Sequence, residues 1–196
     1  MVASNPSRSF KENLMLFLSM IVPTSAAISL SHCDETFEEN ELSTFAEGVY
    51  QAFKNQDEEH LKSYYQVLME RLPCVATPLN PSIMGQIHLA TALNALSMQD
   101  TVQIAPAMAG LLASSPGYQF DRDVFPNGHP ILETLSHAQI LVMDTQTQSI
   151  PAFRGYLEVD GRGMSEVPVA RNKIIQAFGD DSHLIATGYL KAEEDT

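Results

Sequence analysis

Asp121, Asp123, Asn127 and His129 fall within nine consecutive residues of the chain. Carboxylates and an imidazole at a loop rim could hold a divalent cation, which would make the protein an enzyme or a metal-dependent factor. His129 also precedes Pro130, and a residue in that position is more simply the entry to a helix. The Asp-x-Asp spacing would suit calcium, but Gly128 and Glu133 miss the register that a calcium loop requires of its glycine and closing glutamate. The expectation is therefore no catalytic residue, no metal and no cofactor.

Other chemistry is not spelled out. Glycine-rich phosphate loops, Gly-x-Ser-x-Gly and His-Glu-x-x-His are absent, and the six histidines are dispersed. Asp57, Glu58 and Glu59 read as charges complementing a helix start. Tyr64 and Tyr65 are adjacent and must point in different directions, so one should be partly exposed. With Met84, they are the candidate partner-binding residues; Met84, Met98 and Met108 would line a groove, although a core role is the simpler reading of all three.

Cys33 and Cys74 are the two cysteines. Cys33 lies just before the first helical pattern and Cys74 just after the second, so two antiparallel helices would bring them together as a disulfide. The segment before Cys33 reads as a signal peptide over residues 1–27: basic Arg8 and Lys11, an apolar run from Leu14 to Val22, Pro23, then small Ser25-Ala26-Ala27. Leu30-Ser31-His32-Cys33 resembles a lipobox, with His32 where that motif takes Gly, Ala or Ser. Acylation of Cys33 and its pairing with Cys74 exclude each other. Both readings place the protein outside the cytosol, in the periplasm or envelope, anchored to the outer membrane only if Cys33 is acylated.

The elements that must position these residues follow from periodicity. Leu42, Phe45, Val49 and Phe53 stripe a helix over 41–54. Asp57 caps a second helix that Pro73 stops. Pro81 and Ser82 open a third, Asp100 caps an alanine-rich fourth, where Pro106 would kink or delay it, and Pro130 opens a fifth. Residues 51–57 align with 94–100 at an offset of 43, and Asp57 to Pro73 matches Asp100 to Pro116. Each unit is helix, Asp-capped turn, helix, Pro. Over about 38–116 these units resemble tetratricopeptide-type helical hairpins, which implies a protein-binding surface on their concave side.

Downstream the content turns to β: strands over 153–159, 173–178 and 183–190, with a hairpin turn at Asp160-Gly161. Val159-Asp160-Gly161, Val167-Pro168, Gly179, His183 and Gly188-Tyr189 resemble the small β module called PEGA, found on bacterial envelope proteins. That resemblance implies no catalytic residues. Three strands alone are barely stable, so the module must pack on the helices. The expected fold is α+β: a helical domain over 28–140, with about five helices, and a small antiparallel β module over 150–192.

Composition limits the partners. With 44 % hydrophobic and 18 % charged residues the chain suits a globular fold rather than disorder. Its formal charge is -13; loss of Arg8, Lys11 and Glu12 with the leader would leave -14. Such a surface repels phosphate backbones and favours basic or neutral partners. No run of about 18 apolar residues follows the leader, so no mature transmembrane helix is expected. The expected function is a non-enzymatic scaffold or interaction module for another envelope protein or peptide; the alternatives are a lipid-anchored structural protein and a metal-dependent factor.

Overall fold

Periodic apolar stripes become helices at the expected places. In the computed structural model, which describes residues 33, 35–149 and 154–192, α1 is Glu39–Lys54, α2 Glu58–Arg71, α3 Pro81–Ser97 and α4 Thr101–Ser114. The leader, Leu30-Ser31-His32 of the lipobox-like segment, Phe153 of the first expected strand and the acidic tail at 193–195 lie outside the described residues. A short 3-10 turn at Leu72–Cys74, carrying Pro73, ends α2.

The internal repeat is realised in the turns that close α1 and α3, but not in the caps that follow: the Asp57 side chain accepts from His60 N, whereas Asp100, expected to cap α4, makes no side-chain cap bond and leaves only its backbone carbonyl to Gln103 N at 3.3 Å. At the end of α1, Gln56 N donates to Phe53 O and Asp57 N to Ala52 O; at the end of α3, Gln99 N donates to Leu96 O and Asp100 N to Ala95 O. Both are Schellman closures, and they put Gln56 and Gln99 at φ 58, where glycine is the usual choice. Ser43 Oγ on α1 donates to Gln86 Oε1 on α3 at 2.8 Å, so repeat-equivalent positions touch. A left-handed conformation costs an L-residue about 1–2 kcal/mol, partly offset by the extra unfolded-state freedom of glycine. Gln99→Gly is therefore expected to stabilise the protein by about 0.5–1 kcal/mol, read as a higher urea midpoint at unchanged slope.

The second hairpin carries the core. α3 packs between α1 and α4 and is buried nearly all round, from Ile83 and Met84 to Leu93 and Ala95. Small Ala105, Ala107, Ala109 and Gly110 let neighbouring elements approach α4 closely. Pro106 neither delays nor ends α4, which starts at Thr101. The fifth helix is broken into α5, Pro130–Glu133, and α6, Leu135–Met143, at Thr134, whose hydroxyl bonds back to Ile131 O at 2.8 Å. Phe125, from the loop before it, is fully buried and anchors that loop against Phe53.

Among the described residues the β region holds six strands: β1 Thr147–Ser149, β2 Tyr156–Val159, β3 Arg162–Gly163, β4 Glu166–Pro168, β5 Lys173–Phe178 and β6 Leu184–Leu190. An antiparallel sheet runs β3-β2-β5-β6, and β1 pairs with β4 in a separate two-stranded ribbon. Asp160 and Gly161, at φ 51 and 74, make the tight β2–β3 turn. Every residue of β5 is buried. Ile174 joins the helical core with Leu184 and Tyr189, while Ile175 and Ala177 face a smaller cluster with Leu157, Val159, Val167 and Leu190. One face of the sheet thus joins the helical core while the other covers a small core of its own, and the class is α+β. Among the described residues no helix is long and apolar enough to cross a membrane.

Candidate functional site

The helical repeat turns two of its ends toward one place. The α1–α2 turn, the end of α3 and the loop over 121–129 border an open groove of about 480 Å³, within the range of ligand-sized clefts. Its apolar lining comes from Phe53, Leu61 and Leu96, and carboxylates Asp57, Glu58 and Asp123 stand round it. The loop is held there because Phe125 is stacked at 6.1 Å on Phe53 and edge-on at 5.6 Å to Phe120.

His129 and Asp123 both line this groove, but the suspected metal set does not converge. His129 Nδ1 is occupied as a helix cap, accepting from Ile131 N at 3.2 Å. Burial lowers its pKa from 6.5, so the ring is neutral at pH 7. Asp121 instead accepts from Tyr50 Oη at 3.4 Å and lies 3.8 Å from Lys54 Nζ. Among the described residues no three His, Cys, Asp or Glu side chains gather as a metal set. Asp57 accepts from His60 N at 3.1 Å and from the His60 ring at 2.7 Å; those bonds hold its pKa below the usual value. Its carboxylate is therefore fixed in direction and ionised.

The other sequence candidates are scattered. Tyr64 is half-exposed, its ring laid over Gly48, where a Cβ would come within 2.9 Å. Tyr65 turns inward against the core, and burial raises its pKa. Met84 is 0 % exposed and offers no surface to a partner; α3 is covered on all sides, which its near-continuous apolar sequence signals. Met108 is likewise core, whereas Met98 is exposed. Cys33 and Cys74 are paired at disulfide distance, with Cα atoms 5.5 Å apart.

One polar cluster escaped the sequence reading. His88, on α3, places Nε2 2.9 Å from Asp160 Oδ1 and Nδ1 3.2 Å from Tyr189 Oη. Arg171 donates to the other Asp160 oxygen, and Ile174 N donates to Oδ1 at 2.9 Å. Gly110 makes room: a Cβ there would overlap the His88 ring and approach Asn172 O to 2.8 Å. Burial alone would raise the Asp160 pKa; the His88 hydrogen bond, the His88 and Arg171 charges and the Ile174 N–H together hold it below 3.8. An Asp–His pair of this kind can relay a proton, but His88 is 0 % and Asp160 1 % exposed, so no dissolved substrate reaches it. It joins helix to sheet. The separation of 72 residues between His88 and Asp160 leaves no local signal of it.

Compared with family models, with curated proteins and with solved structures, the chain matches none.

Proposed function

We propose that this is an exported, non-enzymatic envelope module that seats a basic, partly apolar segment of another protein in the groove between its two repeat turns and the loop over 121–129. The observation that carries the reading is the pairing of a part-exposed apolar wall, Phe53, Leu96 and Val124, with three carboxylates, Asp57, Glu58 and Asp123, in one groove. A lysine or arginine stem lies along the apolar wall while its charge meets the rim. The net charge of -13 draws such a partner in from a distance. Tetratricopeptide-type hairpins with a PEGA-like module behind them suit a scaffold: the helices bind, and the sheet completes their core. The disulfide favours an oxidising compartment. It also leaves Cys33 no thiol to acylate, which disfavours the lipid-anchored alternative.

The test is a titration of the whole protein with a short peptide bearing one lysine flanked by leucines, followed by amide NMR shifts. Shifts should cluster at Ser97 and Val124, both beside the groove. Glu58→Lys with Asp123→Lys is expected to weaken binding about tenfold, whereas Glu70→Lys, on the distal end of α2, leaves it unchanged. Equal loss in both proteins would show attraction to the acidic surface at large and overturn the reading.

A further inference from the structure

We infer that Asn127–Gly128 is a self-modifying site: the Gly128 backbone nitrogen closes on Asn127 Cγ, expels ammonia and leaves aspartate or isoaspartate on the groove rim. The bookkeeping of atoms is complete with water alone. The nitrogen loses its proton and bonds to Cγ; the Cγ–Nδ2 bond breaks and ammonia leaves; water then opens the five-membered imide at either carbonyl. The outcome is one new negative charge, and in the isoaspartate product one extra main-chain carbon.

Asn127 is the only one of the eight asparagines followed by glycine, whose missing Cβ leaves the attacking nitrogen unobstructed. Both residues are exposed, and a Cβ built on Gly128 meets nothing within 4 Å. They are the central pair of a turn closed by His129 N donating to Pro126 O at 3.0 Å, with Gly128 at φ 83, as a type II turn requires. Among the described residues the Gly128 N–H has no acceptor. Arg122 Nη1 donates to Asn127 Oδ1 at 3.3 Å, which draws electrons from Cγ and steadies the oxyanion of the addition step.

Competing positions are blocked. Asn80 precedes Pro81, which has no N–H. The nitrogens after Asn40 and Asn55 are bonded to Glu38 O at 3.1 Å and Phe53 O at 3.0 Å. Asn94 lies within α3, and Asn172 is 0 % exposed. Asp160–Gly161 has the same turn chemistry, but its carboxylate is fixed by His88, Arg171 and Ile174 N. Pro126 and His129, which flank the reactive pair, both line the groove. The new charge therefore falls beside Asp123; this consequence rests on the groove reading, the modification itself does not.

The whole protein is held at mildly alkaline pH and digested, and the peptide containing residue 127 is followed by mass and by isoaspartyl methyltransferase labelling. Conversion is expected at residue 127 ahead of every other described asparagine, rising about tenfold per pH unit because the deprotonated nitrogen attacks. Arg122→Gln is expected to slow it roughly threefold, and Asn127→Gln to abolish it without loss of fold. Retention of the amide while a free Phe-Pro-Asn-Gly-His peptide converts would overturn the inference. Separately, Asn127→Asp is expected to tighten the lysine peptide about two- to fivefold. Unchanged affinity alongside confirmed conversion would overturn only the coupling to the groove.

Discussion

Asp160→Ala is expected to destabilise the protein by about 3–5 kcal/mol, the usual consequence of removing one partner from a buried charged pair. The substitution leaves Arg171, 7 % exposed, without its carboxylate and deprives His88 and Ile174 N of an acceptor. It also undoes the β2–β3 turn, where Asp160 sits at φ 51, a conformation that Asp tolerates better than Ala. The measurement is urea unfolding of wild type and variant at neutral pH. The sign with pH is fixed as well. Because the folded pKa lies below 3.8, the Asp160 contribution is fully present above the unfolded carboxyl range and is lost as pH falls below 3.8 toward the folded value. Asp160→Asn should therefore show a flatter acid limb than wild type between neutral pH and the acid transition. Identical acid limbs, or a loss under about 1 kcal/mol, would mean that the cluster does not hold helix to sheet.

Loss of the Cys33–Cys74 bridge is expected to cost about 4 kcal/mol by the loop-closure argument, given its separation of 41 residues. The bridge does not act alone. Phe37 N donates to Cys74 O at 3.1 Å and Ala76 N to Phe37 O at 2.8 Å, a parallel pairing beside the bridge. The Arg71 guanidinium lies 4.4 Å from the Phe37 ring centroid and 4.7 Å from that of Phe45. Cys33→Ser, Cys74→Ser and the double variant should therefore unfold at the same lowered denaturant concentration. Reduced wild type should join them. A double variant as stable as the oxidised protein would show that the backbone pairing suffices.

The legible parts of this fold were those whose signals are local. Asp57 caps α2 through its own side chain three residues ahead, and the 43-residue offset appears as matched letters before it appears as matched hydrogen bonds. The two cysteines were placed by the helix pattern between them. The Asp160-Gly161 turn was visible too, but not the second use of its carboxylate. That use depends on Gly110, His88 and Arg171 meeting from three distant stretches, and nothing in any one of them announces the others. β1 and β4 were missed for a different reason: three residues each, with Gln148 opposite Val167, they have too little periodicity to register. The groove was half-seen. His129 and Asp123 stood out by residue type, while Phe53, Leu61 and Leu96 looked like ordinary core until the loop anchored by Phe125 closed over them. Met84 is a groove candidate by residue type alone, with a core role the simpler reading, and its helix has no polar face to turn outward.

The bridge from Cys33 also decides how the protein answers a pull. Tension applied to the chain upstream of Cys33 enters the fold at Cys74, and the span between the two, 41 apart in sequence, is bypassed. The force arrives at the short 3-10 turn that abuts β6, so α1 and α2 stay slack while the sheet bears the strain. A tethered copy stretched from its amino end would thus rupture at the sheet first and yield its first hairpin only after reduction.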